Sequence, residues 1–579
     1  MQKKRSSANL LYIFQVQGET MNTNEQIAEL LFPNVKLTVE EILQKYPPRN
    51  LEKENLVTRF APSPTGYVHI GGVYQCMINS YLAHQSGGVF YLRCEDTDKK
   101  REVEGASDLI FPTLKKLGIK IDEGFESLEK ESGDYGPYLQ SRRTEYYQAF
   151  AKELVRRGLA YPCFCDEDEE NADYRSEQKR LGVPTGYYGR WAKCRNLSFE
   201  QIKENIEQGK PFKIRIKADG DGEKRLNFHD VLRGDISFLE NQVDYVILKS
   251  DGTALYHLAH LVDDTLMHTS VVIRDESWLP SAPLHLQLFR YMNLTPPKYL
   301  HTAQIMTIDK TTGATRKISK RYDNWADSRW FLENGYPVEA IHEYLLNLIN
   351  SNFELWRKAN PDTDIEQFKV TVDKMSKSGG IFDLDKLNNI SKDVISKMSK
   401  DKLFDLSYEW AKQYDQNLLG LIEYSHDYYK DILNIEREQP KPRKDYETYK
   451  DIYPQILYMY PHQFEKMEKN YEFGLIKDKS QILQIVRLYL EKYYDANDDK
   501  QTWFQKIKSM CDQLGFASDM KAYKQNPQNY KGNVADISTV LRVVFTTKSC
   551  TPDLYQILKI LGRPQLDARI KIFEESYNN

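Results

Sequence analysis

Residues 55–85 dictate more of this chain's fold than any other stretch. Leu56 to Phe60 is patterned as a short strand, Pro62 to Gly72 is too rich in proline and glycine to continue it, and a helical stretch runs to His84. A second strand-like run, Val89 to Arg93, follows. Strand, glycine-rich turn, helix and strand in that order form a nucleotide-binding βαβ half. Glycines let the backbone approach a polyanion closely, a helix start offers unpaired N–H groups, and His69 can donate to a phosphate as charge develops. A nucleoside triphosphate suits such a turn, although the same residues could serve only as a joint between strand and helix.

The rest of the chain divides around this unit. At 579 residues it should form roughly three to five compact units. A polar stretch from about 151 to 240 reads as an insertion, and the strand pattern returns at Tyr245 to Leu248 and Ser270 to Ile273, so a split sheet should resume there and close near residue 300. Beyond residue 330 apolar positions such as Ile341, Tyr344, Leu345 and Leu348 repeat at helical spacing almost to the C-terminus. Pro440 and Pro442 mark a joint between helical blocks. The fold class expected is an α/β Rossmann-type catalytic domain, split by an insertion and followed by an all-α region.

No apolar run is long enough to cross a bilayer, and seven cysteines, four of them scattered at 76, 94, 511 and 550, do not resemble a secreted disulfide framework, so a cytoplasmic protein is expected. The net charge of -4 gives no global basic footprint. Lys3, Lys4 and Arg5 precede an apolar patch, Leu10 to Phe14, too short for a signal-peptide core; it reads as an extension, with Met21 as an alternative start. The 39 tyrosines fit a biased composition better than any function.

Four blocks carry the chemistry. Arg59 to Gly72 resembles the first ATP-binding motif of class I aminoacyl-tRNA synthetases, and Phe60-Ala61-Pro62-Ser63-Pro64-Thr65-Gly66 resembles the bacterial glutamyl branch, with Gly72 where the motif often carries a second histidine. Glu95-Asp96-Thr97-Asp98 matches that family's block at the next strand end, where α/β sheets bind ligands, although Asp96 and Asp98 read equally well as helix caps. Ser250 to Asp264 and Val272 to Trp278 resemble its substrate pocket, with His260 where many relatives carry Asn. Lys317-Ile318-Ser319-Lys320-Arg321 resembles the mobile lysine loop that stabilises pyrophosphate. A literal Lys374-Met375-Ser376-Lys377-Ser378 also occurs, but the earlier copy directly follows the second sheet half and is assigned the role.

The resemblance implies a glutamate-tRNA ligase that forms glutamyl-adenylate from L-glutamate and ATP with Mg²⁺, then esterifies tRNA(Glu), with tRNA(Gln) as a further acceptor to be tested. It implies His69, Lys317 and Lys320 as catalytic groups, and Arg59, Ala61, Ser63, Glu95, Tyr256, His260 and Arg274 as the glutamate pocket. Pro62, Gly66, His69, Gly71, Gly72, Lys317, Ser319, Lys320 and Arg321 would hold ATP. Two guanidinium forks, Arg59 and Arg274, suit the two carboxylates of glutamate and favour it over glutamine. The expected division is an extension (1–54), the catalytic halves (55–150 and 243–300), an acceptor-binding insertion (151–242), a connecting domain with the lysine loop (301–395) and helical anticodon-binding domains (396–579); a monomer is expected.

Cys163, Cys165 and Cys194, with Tyr188 as fourth ligand, form a candidate Zn²⁺ site, and three reduced thiols in a small core remain the other reading. Competing functions are a glutaminyl-tRNA synthetase, disfavoured by Ala61-Pro62-Ser63 and Arg274, and a catalytically silent tRNA-binding homologue, disfavoured by the intact Arg59, His69, Glu95, Lys317 and Lys320. A truncated tRNA-modifying relative or a small-molecule nucleotidyltransferase would have no use for so long a helical region.

Overall fold

The computed structural model describes residues 22–166 and 174–577. The run Lys3 to Arg5, the patch Leu10 to Phe14 and the alternative start Met21 lie outside the described residues. The chain forms two units, Met1–Trp330 with Leu345–Phe382, and Phe331–Tyr344 with Asp383–Asn579.

The first unit is built on parallel strands. β1 (Val57–Phe60) pairs with β2 (Val89–Leu92), and β2 with β3 (Glu123–Ser127), which the short β4 (Lys130–Ser132) joins antiparallel. Across from them, β10 (Val271–Asp275) pairs with β11 (Lys298–Thr302). The Ser270 amide donates to the Val57 carbonyl at 3.0 Å, which seats β10 beside β1. The order β3-β2-β1-β10-β11 reverses direction between β1 and β10, the place where doubly wound sheets open a crevice at their carboxyl ends. Val57, Phe90, Tyr91, Leu92, Val272 and Ile273 are buried, as befits strands covered on both faces. The helix Ile70–Gln85 lies against β1, β2 and β10 and buries Ile70, Val73, Met77 and Ile78, each burial worth about 1.5–3 kcal/mol.

The stretch expected as an insertion holds two structures. β5 (Ala160–Cys163), β6 (Lys213–Ile216) and β9 (Val246–Leu248) form an antiparallel sheet, so β9 pairs with β6 and does not resume the parallel sheet. The hairpin β7 (Arg225–Asp230) and β8 (Gly234–Leu239) instead returns to the catalytic sheet, Asp230 pairing with Tyr299 of β11. Alternation over three residues could not tell β9 which sheet it would join.

Within the segment 1–54, the described residues contribute two helices, Thr23–Leu31 and Val39–Lys45, each opened by a capping box, Asn22 with Glu25 and Thr38 with Glu41. Their Ile27, Leu31, Val39 and Ile42 share a core with Tyr147, Phe150 and Leu154 of the helix Thr144–Arg156. Lys152 donates to the Val35 carbonyl at 3.0 Å and Arg49 to that of Met267, also at 3.0 Å.

The second unit is helical, with no strand among its described residues. Side-chain caps at Asp383, Ser399, Asp415, Asp478, Asp499 and Asn533 open its helices. Leu403, Leu421, Tyr429, Ile452, Ile485, Met510, Val540 and Phe573 belong to one core. Pro440 and Pro442 do interrupt the helices, between His426–Leu433 and Tyr449–Asp451, yet the same core continues on both sides.

Candidate active site

His69 is the N-cap of the helix Ile70–Gln85, and its Nδ1 accepts from the Gly71 amide at 3.0 Å. The ring proton therefore sits on Nε2. A Cβ at Gly71 would stand 3.1 Å from that Nδ1, and one at Gly72 would stand 3.1 Å from Phe60 Cζ, so glycine leaves room for the imidazole at 71 and for the Phe60 ring at 72. Burial, followed by the charges of Lys320 and Lys317, lowers the His69 pKa to about 4 and keeps the ring neutral. The amides at the helix start, expected to be open to a phosphate, are met inside the turn: Gly71 by His69 Nδ1 and Gly72 by the His69 carbonyl.

β12 (Met306–Ile308) and β13 (Thr315–Lys317) form the hairpin that delivers the lysine loop. Asp323 holds this loop by accepting from the Ser319 amide at 2.9 Å and from both terminal nitrogens of Arg316 at 2.7 and 2.8 Å. Lys320 Nζ donates to the Tyr67 carbonyl, two residues before His69. His69, Gly71, Gly72, Lys317, Ser319 and Lys320 line one cleft of about 390 Å³ with Asp275 and Gln304. Pro62, Gly66 and Arg321, expected at the nucleotide, are outside its lining: the Pro62 carbonyl accepts from the Glu95 amide at 2.9 Å, and the Arg321 guanidinium faces the Tyr322 ring. Gly66 is backbone near Lys320 Nζ, 3.5 Å from where a Cβ would be. None of residues 374–378, the literal lysine motif, lines this cleft; Met375 bridges Asn350, and the segment that follows runs beside β12, Ile381 bridging Met306.

A second cleft, about 430 Å³, is lined by Ser63, Glu95, Gln140, Lys249, Tyr256 and Trp278 among others. Beneath it lies a buried ionic layer. Arg59 donates to Asp264 through Nε at 3.1 Å and NH2 at 3.4 Å. Arg93 donates to Asp264 and to Glu95, each at 3.1 Å, and Arg143 to Asp263 at 2.6 Å. Three guanidinium groups thus face three carboxylates. Burial raises the Glu95 pKa, opposed by Arg93 and Arg59.

His260, expected in the glutamate pocket, is fully buried below it. Its Nδ1 meets Asp264 Oδ2 at 2.5 Å and its Nε2 meets the Tyr299 hydroxyl at 2.8 Å, so neither nitrogen is left for a ligand. Its pKa falls to about 4, mainly through burial. Ala61 lines neither cleft. Arg59 and Arg274 likewise line neither cleft; Arg59 is held by Asp264 and by the Ile273 carbonyl, 3.4 Å from NH1.

Arg274 differs from the other three arginines. It donates to His301 Nε2 at 3.0 Å, to the Tyr256 hydroxyl at 2.9 Å and to His285 Nδ1 at 3.3 Å, all neutral acceptors. Trp278 packs against Tyr256 with centroids 4.2 Å apart and the ring planes tilted by 40°, and stands 5.7 Å from the guanidinium. A buried cation without a carboxylate partner is costly unless an anion joins it. Because Tyr256 accepts from Arg274, its own proton is free to point toward a ligand. Lys249, His285 and His301 are absent from the residues expected from sequence; Trp278 closes the block Val272 to Trp278 that resembles the family's pocket, but it carries no assigned role there.

Cys163, Cys165 and Cys194 are buried, with sulfurs within 4.8 Å of one another. The hydroxyl beside them belongs to Tyr187, 3.3 Å from Cys165 Sγ and 3.7 Å from Cys163 Sγ. Tyr188, the expected fourth ligand, instead donates to the Pro184 carbonyl at 2.6 Å. The correction is one of direction: adjacent residues in extended backbone face opposite ways. Hydrogen bonds from the Cys165 and Cys194 thiols push the Cys163 pKa down.

Known proteins resemble this chain along most of its length. Residues 55–389 match the family described as "tRNA synthetases class I (E and Q), catalytic domain". A glutamate–tRNA ligase of Clostridium perfringens (strain SM101) is 46% identical over 550 residues, covering 95% of this chain and 99% of that one. One from Clostridium beijerinckii is 42% identical over 551 residues, covering 95% and 99%. The crystal structure of a glutamate tRNA ligase from Elizabethkingia meningosepticum in complex with its amino acid shares the fold at a TM-score of 0.72 and 23% identity, covering 91% of this chain and 100% of that one. A glycine-rich turn capped by His69, a lysine loop docked on it, a crevice at the switch of a doubly wound sheet and relatives matched along nearly their whole length place the chain in the class I tRNA synthetases of the glutamate and glutamine group, among the glutamate–tRNA ligases.

Proposed function

We propose that the chain activates L-glutamate with ATP and esterifies it to the 3′-terminal ribose of tRNA(Glu), acting as a monomer in the cytoplasm. Among the described residues no helix is long and apolar enough to cross a membrane. The observation that carries the substrate assignment is Arg274, a buried guanidinium with neutral acceptors on three sides and Tyr256 at its edge. It supports binding of a substrate carboxylate, with Glu95 in the adjacent cleft receiving the ammonium. Arg59, tied to Asp264, supports the pocket from below.

In the first step a glutamate carboxylate oxygen forms a bond to the α-phosphorus as the bond to pyrophosphate breaks. His69 donates through Nε2–H, and Lys317 and Lys320 receive the charge that gathers on pyrophosphate. Mg²⁺, if carried in with the nucleotide, would supply further charge neutralisation at the phosphates. The ribose hydroxyl then attacks the activated carbonyl carbon and AMP leaves. The insertion is read as the acceptor-end binder and the helical unit as the anticodon binder. The three thiols, with the Tyr187 hydroxyl beside two of them, are donors of the kind that would hold a structural zinc there.

The test is ATP–pyrophosphate exchange with glutamate or glutamine, with and without tRNA(Glu). Exchange with glutamate in the presence of tRNA, and little with glutamine, is expected. Exchange driven equally by glutamine would remove the carboxylate reading of Arg274.

A further inference from the structure

The contacts around Arg274 form a directed chain of hydrogen bonds, and the direction of each follows from the guanidinium, which can only donate. Since Nε donates to His301 Nε2, the His301 proton lies on Nδ1, where it meets Asp230 Oδ2 at 2.7 Å. The His301 amide donates to the same oxygen at 3.0 Å. On the other side, Arg274 NH2 donates to His285 Nδ1, which leaves the His285 proton on Nε2, 3.0 Å from His257 Nδ1. Burial keeps His257, His285 and His301 neutral, with the His257 pKa lowered to about 4.

Asp230 belongs to the β7–β8 hairpin and sits one imidazole away from the guanidinium. Its other oxygen, Oδ1, accepts from the Leu232 and Arg233 amides at 3.0 and 2.9 Å, which fixes the hairpin turn. Arg233 reaches back across His301, donating through Nε to the His301 carbonyl at 3.0 Å and through NH2 to Glu276 at 2.6 Å. The hairpin therefore grips His301 through side chain and backbone alike.

We propose that Asp230, His301 and His285 are positioning residues for substrate recognition: they fix the plane of Arg274 through uncharged acceptors, so its orientation is set while its charge stays available to the substrate carboxylate. A carboxylate placed directly on Arg274 would fix the plane equally well and cancel the charge. The single carboxylate of the chain, Asp230, is held behind His301 and acts by choosing its tautomer, as carboxylates behind histidines do elsewhere. The inference rests on the reading of Arg274 as the carboxylate-binding group.

The test uses the full chain with saturating tRNA(Glu), measuring kcat and the KM for glutamate and for ATP in Arg274→Gln, His301→Phe, His301→Gln and Asp230→Asn. Glutamine at 301 can still accept from Arg274 and donate to Asp230. Asparagine at 230 would turn an amide N–H toward His301 and favour the wrong tautomer. The expected result is a rise of about 10- to 100-fold in the KM for glutamate with His301→Phe and Asp230→Asn, a KM for ATP close to the parent's, and substantial rescue in His301→Gln. An Arg274→Gln variant with a raised KM for glutamate, beside a folded His301→Phe with the parent's value, would overturn the positioning role alone. An Arg274→Gln variant with an unchanged KM would overturn the reading of Arg274 itself. Equal rises for glutamate and ATP would mark a merely structural effect and overturn the proposal. If His301→Phe does not fold, Asp230→Asn decides: a parent-like KM for glutamate overturns the proposal.

Discussion

Arg59 on β1 and Asp264 in the helix Tyr256–Leu266 close a buried two-point contact, Nε to Oδ1 at 3.1 Å and NH2 to Oδ2 at 3.4 Å, with both side chains withdrawn from solvent. Asp264 also receives Arg93, Thr269 and His260, so one carboxylate organises the floor of the pocket.

Removing that charge leaves Arg59 and Arg93 without their shared partner. Asp264→Asn is expected to destabilise the first unit by about 3–5 kcal/mol, measured by denaturant unfolding at neutral pH. Breaking a buried pair costs far more than removing a surface one. A loss under 1 kcal/mol would mean that the layer relaxes around the amide.

Stability should also fall on acidification. Burial raises the Asp264 pKa, but Arg59 and Arg93 outweigh it and hold the group well below the usual carboxylate range. A depressed folded pKa contributes stability that is complete above the unfolded carboxylate value and is lost as pH falls through the folded one. His260, at about 4 when folded, adds a loss that begins earlier, as the unfolded histidine takes up its proton below its model value of 6.5. Unfolding midpoints measured at steps from pH 7 to pH 3 should decline for the parent, with the part of the decline between pH 6.5 and about 4 smaller in His260→Asn.

At the nucleotide cleft, the neutral His69 ring donates from Nε2 while Nδ1 is held by Gly71. His69→Ala should lower kcat by about 100- to 1,000-fold with the KM for glutamate within a few-fold, and His69→Gln, which keeps a donor, should lose less. Parent-like turnover in His69→Ala would remove it from the chemistry.

The two lysine motifs separate cleanly. Lys320→Ala should reduce pyrophosphate exchange by about 100-fold or more, whereas Lys377→Ala should remain close to the parent, since residues 374–378 do not line the cleft. The reverse pattern would reassign the loop.

For the thiol cluster, metal analysis of the purified chain should find about one zinc per chain, and chelation should lower the thermal midpoint. Tyr187→Phe should weaken retention and Tyr188→Phe should not, because only the Tyr187 hydroxyl approaches the sulfurs.

What could be read in the sequence was local. The turn through His69 and Gly71, the strands on either side of it and the lysine loop are short contiguous patterns, and the structure brings His69, Gly71, Gly72, Lys317 and Lys320 to one cleft. The pocket floor could not be read the same way. Asp264 belongs to Arg59 only because β1 and β10 become neighbours, and Asp230 reaches His301, and through it Arg274, only because the hairpin returns to β11. His260 occupied a motif position, yet burial turned it from ligand contact to support. The helices Thr23–Leu31 and Val39–Lys45 did carry a signal, in the Asn22–Glu25 and Thr38–Glu41 spacings that mark capping boxes.

Charging of purified tRNA(Glu) and tRNA(Gln) with labelled glutamate and ATP tests the central claim most directly, with Arg274→Gln alongside the parent. Glutamate esterified to tRNA(Glu) by the parent, and sharply less by Arg274→Gln at low glutamate, is the predicted result; the tRNA(Gln) lane reports how the acceptor is chosen. A folded parent that binds tRNA and charges neither would contradict the account.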